Sequence, residues 1–212
     1  MTQASTNVPW PFVHQSRPAS SRRHGPSGYR RYESYKDWLR DEFEFRCFYC
    51  LRRERWAYDP KAEFSVEHIA PQRTAQHLVA HYDNLLYACV TCNSARSNAA
   101  LPLDLHVERL DAHLFLDGGG RYVHKSAQGL ALIDLLKLNL TPYVDARRKI
   151  LFAYGRVLGL YPSAQGLDFD MFRYPADLPE LGALRPPGNT RPAGLQTNAH
   201  ARAAAGQLPA FY

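Results

Sequence analysis

The chain has 212 residues, 45% of them hydrophobic and 22% charged, with a formal net charge of +6. This length allows one ordinary domain with extensions, or two small domains. No run of about 18 apolar residues is present, which excludes a helical membrane-spanning protein. The modest positive surplus favours a polyanionic partner such as nucleic acid. The opening residues, MTQASTNVPWPF, lack the apolar core of a signal peptide, so we expect a cytoplasmic protein.

The first half of the chain begins with a polar arm and continues with short elements. Residues 1–28 are rich in Pro, Ser, Thr and Gln, which predicts a flexible N-terminal arm. In residues 32–45, apolar side chains recur near helical spacing and predict a short amphipathic helix. Residues 62–66, AEFSV, alternate apolar and polar side chains and predict a strand. Residues 84–98, NLLYACVTCNSARSN, predict an extended piece that becomes a helix near Cys89.

The second half changes in character. Residues 112–126 contain two alternating runs around DGGG, which predicts a β-hairpin. Residues 127–140 and 141–160 predict two amphipathic helices, and the second starts with a threonine cap followed by proline. From residue 161 to residue 212, Pro, Gly and Ala accumulate and predict a disordered tail.

All four cysteines fall in two identical pairs, Cys47-Phe-Tyr-Cys50 and Cys89-Val-Thr-Cys92. Two residues between thiolates suit a turn in which both sulfurs face one tetrahedral ion. The pattern therefore predicts one structural zinc, which four thiolates would saturate and leave without an open position. Two disulfides, four free thiols or a redox pair are the alternatives. A reducing cytoplasm and the absence of a thioredoxin-like context disfavour them.

A Glu-His pair stands in FSVEHIAPQ, residues 64–72, after an apolar run and close before a proline. Taken alone, His68 is more simply explained as a buried structural histidine than as a metal ligand or a general base. Its surroundings change that interpretation. The segments RCFYC, VEHIAPQ and YDNLLYACVTCNSARSN follow one another in this order. Over residues 45–98 they resemble the HNH endonuclease family in its zinc-bound, four-cysteine form.

The resemblance implies an α+β fold. Its core would be a ββα-metal, treble-clef-like unit, in which a two-stranded hairpin and a helix surround one divalent ion. The nuclease domain with its zinc knuckles would occupy residues 29–100. Residues 101–160 would form the hairpin and two helices that pack against it.

Matched residue by residue, the resemblance implies that His68 is the general base that activates water and that Glu67 is a metal ligand. Asn84 corresponds to the central asparagine, which braces the loop carrying the histidine. Asn93 corresponds to the third named position, a second metal ligand, although a helix-start asparagine without that role is the alternative. Arg96 stands where the family often has lysine and would contact a phosphate oxygen or the transition state. This His-Asn-Asn variant has oxygen ligands that suit Mg²⁺ or Mn²⁺ better than zinc.

The implied function is hydrolysis of phosphodiester bonds in nucleic acid, with DNA as the expected substrate. The hairpin after residue 100, followed by LIDLLKLN and an arginine-containing helix, is loosely similar to stand-alone HNH effectors of anti-phage defence systems. Such effectors work with an ATPase partner. A non-catalytic nucleic-acid-binding zinc module and an antibacterial nuclease toxin are the alternatives. The sequence leaves open the choice between DNA and RNA, the sequence specificity and the oligomeric state.

Overall fold

The structure is a computed structural model that describes residues 10–14, 18, 21–157 and 169–212. The strands within these ranges are β1 (Pro26–Ser27), β2 (Phe64–His68), β3 (Leu85–Cys89), β4 (Leu114–Leu116), β5 (Tyr122–His124) and β6 (Gly188–Asn189). The helices are α1 (Lys36–Glu42), α2 (Pro60–Glu63), α3 (Val90–Arg96), α4 (Leu110–His113), α5 (Ala127–Leu135), α6 (Thr141–Val157), α7 (Gly194–Thr197) and α8 (Ala199–Ala204). The mixture of small sheets and helices confirms the predicted α+β class.

A hairpin followed at once by a helix forms the centre of the molecule. β2 and β3 pair antiparallel, with Phe64 opposite Cys89 and His68 opposite Leu85. Every residue of β3 is buried, so this strand is covered on both faces. α3 begins at the residue after β3 ends and packs on both strands. This ββα unit is the predicted core, and it brings the end of β2 beside the last turn of α3.

The turn that carries the first cysteine pair is closed on itself and docked on β3. The backbone N–H of Cys47 donates to the carbonyl of Arg52 at 2.8 Å, and that of Leu51 donates to the carbonyl of Cys47 at 3.0 Å. The backbone N–H of Phe48 donates to the carbonyl of Tyr87 at 2.8 Å. The knuckle is thereby held against the strand that leads to the second cysteine pair.

The helix predicted at residues 32–45 is shorter in the structure. It consists of a 3₁₀ turn at Tyr32–Tyr35 followed directly by α1. Trp38 and Leu39 of α1 are buried, and the helix packs on both strands of the central hairpin. The predicted apolar face therefore belongs to the core that supports β2.

The β4–β5 hairpin is closed by the DGGG turn. The Asp117 carboxylate accepts hydrogen bonds from the backbone N–H of Gly119 at 2.9 Å and of Arg121 at 2.8 Å. Gly120 has a φ of +81°, in the left-handed region that glycine enters without strain. α6 is tied to this turn because Arg147 Nε donates to the Gly120 carbonyl at 2.7 Å. The hairpin and the two helices predicted after residue 100 are confirmed, although α5 ends at Leu135 and not at residue 140.

Both terminal segments fold back onto the rest of the chain. β1 and β6 pair antiparallel, with Pro26 opposite Asn189. The structure here differs from the predicted disordered tail at residues 161–212, because Leu181 and Tyr212 in its described part are buried. Such apolar residues are dispersed among Pro, Gly and Ala without the periodicity of a helix or a strand, so no local pattern predicts their burial.

Parts of these predictions lie outside the described residues. They are residues 1–9, 15–17 and 19–20 of the arm, and residues 158–168 at the end of the last long helix and the start of the tail. The domain boundaries after residues 28, 100 and 160 stay predictions.

Asp41 of α1 joins both terminal segments to the core. Asp41 Oδ2 accepts a hydrogen bond from His24 Nε2 at 2.7 Å and forms an ion pair with Arg23 Nη2 at 3.0 Å. Asp41 Oδ1 accepts the backbone N–H of Ala199 at 2.6 Å. Burial raises the pKa of the Asp41 carboxyl, but the hydrogen bond from His24 and the charge of Arg23 outweigh burial and lower it overall. Residues 21–28, predicted as part of the arm, are therefore packed at this point.

We expect Asp41→Ala to lower the free energy of unfolding by about 3 kcal/mol, because the substitution leaves buried donors on both terminal segments without an acceptor. Urea denaturation checks this. Asp145→Ala is the matched control, since Asp145 pairs with Arg148 in an exposed ion pair at 3.0 Å. This control should change stability by less than about 0.5 kcal/mol.

The contribution of Asp41 to stability should also depend on pH. Because the pKa of Asp41 is lowered on folding, this contribution is present above the ordinary aspartate pKa and is lost as the pH falls below it. Equal midpoints for the two variants would contradict this role of Asp41.

Candidate metal centre and catalytic site

The four cysteines of the two knuckles converge in the fold. Their sulfur atoms all lie within 4.8 Å of one another, and Cys50 Sγ is 3.6 Å from Cys89 Sγ. All four are free of disulfide bonds. Zinc–sulfur bonds of about 2.3 Å in a tetrahedron separate the sulfurs by about 3.8 Å. The cluster therefore fits a structural zinc held by Cys47, Cys50, Cys89 and Cys92.

The four sulfurs are close enough to change one another's ionisation. Hydrogen bonds from the other three thiols lower the pKa of Cys89, which ends β3. Burial raises the pKa of Cys47, which has no exposed surface. A thiolate is the form of cysteine that binds a metal, so binding would release protons from the remaining buried thiols.

His68 lies at the end of β2 and is 5% exposed. Its Nε2 is 3.0 Å from the Val79 carbonyl oxygen. A carbonyl accepts and never donates, so Nε2 carries the proton and the lone pair of the neutral ring is on Nδ1. Gln72 Nε2 lies 3.3 Å from this Nδ1. Burial lowers the pKa of His68, and the charge of Arg96 lowers it further, although the bond to Val79 opposes both. The imidazole is therefore held neutral in one tautomer.

Asn84 closes the loop that follows His68. It is 1% exposed, and its Oδ1 accepts the backbone N–H of Ala70 at 2.8 Å. Its Nδ2 donates to the carbonyls of Leu78 at 3.2 Å and Ala70 at 3.3 Å. The Asn84 carbonyl accepts the backbone N–H of Ile69 at 2.8 Å. One side chain thus joins the start of the loop to its far end.

Glu67 and Arg96 form a buried ion pair, with 5% and 2% of their side chains exposed. Arg96 Nη1 donates both to Glu67 Oε1 and to the His68 carbonyl. Arg96 Nη2 donates to the Ile69 carbonyl at 2.7 Å, and Nε donates to the Ala99 carbonyl at 3.1 Å. Burial raises the pKa of Glu67, against the effect of Arg96. The donors of Arg96, predicted to reach a phosphate, are directed in the structure at the protein itself.

Asn93 lies one helical turn before Arg96, on the face of α3 that meets β2. Its Nδ2 donates to Ser65 Oγ at 2.9 Å. Ser65 and Glu67 are two apart on β2 and so share one face of that strand. The structure thus brings Asn93 to the strand–helix junction where Glu67 is held. A carboxylate and an amide oxygen are donors that Mg²⁺ or Mn²⁺ takes. The Glu67 carboxylate is paired with Arg96 in the structure, so a metal-ligand role for Glu67 and Asn93 stays a prediction.

Two neighbours of His68 were not among the predicted site residues. Gln72 lies four residues after His68 in FSVEHIAPQ, so its closeness to the histidine follows from the local sequence. Tyr32 lies far upstream, and its ring centroid is 4.8 Å from that of His68 at an interplanar angle of 77°. No pattern in the sequence links Tyr32 to the histidine, because the contact forms between segments that are distant along the chain.

A family model described as HNH endonuclease matches residues 47–99. This segment is an HNH domain. The HNH domain covers both cysteine pairs and contains Glu67, His68, Asn84, Asn93 and Arg96. It confirms the predicted resemblance and implies nuclease activity on nucleic acid. No curated protein matches the chain. Among the residues that the structure describes, no helix combines the length and the apolar character needed to cross a bilayer.

We expect the HNH domain to bind about one zinc per chain and to lose it when Cys47 is replaced by serine, because three thiolates no longer complete the tetrahedron. Metal analysis of the purified protein and its thermal midpoint measure both effects. Ser94→Ala, an exposed position on α3, is the control and should retain the metal. Full zinc content and an unchanged midpoint in Cys47→Ser would rule out the site.

We expect Asn84→Ala to cost about 2 kcal/mol of stability, because it leaves buried backbone groups of the loop without partners. The loop should also open, so hydrogen exchange of residues 69–79 should quicken. Mass spectrometry measures that exchange, with Asn98→Ala at an exposed position as the matched control. Unchanged protection of the loop would mean that Asn84 does not brace it.

Proposed function

We propose that the HNH domain is a metal-dependent endonuclease that hydrolyses phosphodiester bonds of DNA, with His68 as the general base. The observation that carries the proposal is the state of the imidazole. Its proton is on Nε2, bonded to the Val79 carbonyl at 3.0 Å, and its lone pair is on Nδ1. A base must be neutral before it can act, and burial keeps the pKa of His68 low.

In the proposed reaction, Nδ1 of His68 takes a proton from the attacking water. The resulting imidazolium is stabilised by the Val79 carbonyl, which accepts the Nε2 proton more strongly once the ring is charged. Gln72, whose amide nitrogen is 3.3 Å from Nδ1, has to give this position to the water. Because the Gln72 side chain is exposed, that exchange needs no rearrangement of the core.

Glu67 and Asn93 would hold the catalytic Mg²⁺ or Mn²⁺. The ion would supply positive charge to the phosphate and to the leaving oxygen. Arg96 orients Glu67 and the His68 carbonyl from the protein side, so its role in this proposal is to position them. Asn84 keeps the loop after His68 in place.

DNA is the proposed substrate because the chain carries a net charge of +6 and the domain is of the HNH endonuclease class. One observation favours a second candidate function, a zinc module that binds nucleic acid without cutting it. The carboxylate of Glu67 is already neutralised by the guanidinium of Arg96. If no divalent ion could bind Glu67 in place of Arg96 or together with it, the HNH domain would keep its fold but could not hydrolyse a phosphodiester bond.

The biological setting is a separate proposal. The hairpin and helices after residue 100 resemble those of stand-alone HNH effectors, so we propose a role in anti-phage defence in the cytoplasm, with an ATPase as partner. A bacterium that expresses the chain together with such a partner should resist phage, and His68→Ala should remove the resistance. Plasmid nicking that the ATPase does not accelerate would count against this partner.

We expect the purified protein to nick supercoiled plasmid in Mg²⁺ or Mn²⁺, and His68→Ala to slow nicking by at least about 10²-fold, because the water loses its base. His77→Ala is the matched control, since His77 is exposed on the loop after His68. A parallel reaction with a chelator should show no nicking. Metal analysis has to show that zinc is still bound in that reaction, so that loss of the structural ion is not taken for loss of the catalytic one.

The outcomes separate the two candidate functions. Cleavage that is unaffected by His68→Ala would contradict the role of His68. DNA binding measured by fluorescence anisotropy, without cleavage in either metal, would instead favour the non-catalytic zinc module.

A further inference from the structure

Tyr32 touches the proposed general base from outside the HNH domain. Its ring centroid lies 4.8 Å from the imidazole centroid of His68, and the two planes meet at 77°. This is the edge-to-face geometry that aromatic pairs prefer. Tyr32 is half-buried, so its ring lies only partly within the core beside His68.

The segment that carries Tyr32 is anchored. Residues 32–35 form a 3₁₀ turn, in which side chains three apart lie on the same side. Tyr35 therefore faces the same way as Tyr32. It has no exposed surface and packs on the Tyr82 ring with centroids 5.7 Å apart. The next residue, Lys36, donates from Nζ to the carbonyl of Phe64, the first residue of β2, at 2.7 Å. The turn is thus fixed to the strand that ends at His68.

We infer that Tyr32 is a positioning residue for His68. The inference rests on the proposed function and deepens it. The hydrogen bond from Nε2 to Val79 fixes one atom of the imidazole, but a ring held at one atom can still tilt about that bond. The Tyr32 ring restricts this tilt and keeps the Nδ1 lone pair directed at the site of the attacking water.

A simple packing role for Tyr32 makes a different prediction. If the ring merely filled space, its loss would lower stability while the cleavage rate of the folded protein stayed the same. A positioning role lowers the turnover number and leaves substrate affinity nearly unchanged, because the base is misaligned but the binding surface is intact.

The test compares Tyr32→Leu, which removes the ring, with Tyr32→Phe, which keeps it. We expect Tyr32→Leu to lower kcat by about tenfold with KM within about twofold of the parent, and Tyr32→Phe to retain full kcat. Tyr58→Leu is the matched control, because Tyr58 is fully exposed. It should leave both constants unchanged.

A second readout does not depend on activity. The Tyr32 ring should shift the proton resonances of the His68 ring, which are identified by their absence from the His68→Ala spectrum. Those shifts should move in Tyr32→Leu and persist in Tyr32→Phe.

The outcomes are distinct from those that test the nuclease itself. An active parent with unchanged kcat and unchanged His68 resonances in Tyr32→Leu would overturn the inference and leave the nuclease standing. Loss of activity in Tyr32→Phe as well would overturn a role for the ring and point to the hydroxyl. A parent that cleaves nothing would overturn the proposed function and this inference with it.

Discussion

The four-cysteine cluster is the constraint on which the rest of the HNH domain depends. It joins the turn at residues 47–50 to the end of β3 and the first turn of α3, and the backbone of Phe48 bonds to the same strand. With β3 held in this way, β2 has one register in which to pair. A slip of one residue would turn the side chains of Glu67 and His68 each to the face opposite the one it now occupies, because side chains alternate along a strand. The four-cysteine cluster has no open position for catalysis, but it helps to determine where His68, the candidate base, lies.

The candidate site is polar but buried, and its side chains satisfy one another. Asn84 and Arg96 between them bond to the backbone of His68 at the end of β2 and to backbone groups of residues 69, 70, 78 and 99, which lie outside the sheet. Such groups would be costly to bury unpaired. The guanidinium of Arg96 also compensates the charge of Glu67 and lowers the pKa of the neighbouring His68. The same contacts that stabilise the loop thus favour the neutral form of the His68 imidazole, which its proposed role as a base requires.

Segments outside the HNH domain complete its surroundings. β1 and β6 pair with each other. Arg191, which follows β6, makes a bidentate ion pair with Asp83 at 2.9 and 3.0 Å, and Asp83 directly precedes Asn84. Farther along the chain, Tyr212 stacks on Tyr174 with centroids 4.5 Å apart and covers the Arg53 guanidinium at 4.3 Å. The terminal segments therefore pack on the HNH domain both next to Asn84 and at Arg53.

By itself, the sequence determined the features that depend on near neighbours. The paired cysteines, a strand directly before Glu67-His68, the DGGG hairpin and the helices after it each follow from spacing and periodicity within a few residues. The bounds of that strand do not, since residues 62 and 63 belong to α2 and the strand continues through Glu67 and His68. The tertiary structure alone decided which distant groups meet. It directs Arg96 at Glu67 and three backbone carbonyls, brings Tyr32 to His68, and buries Tyr212 in a segment whose composition predicts disorder. A local pattern limits the conformation of its own segment, whereas the partner of a buried side chain depends on contacts between segments far apart along the chain.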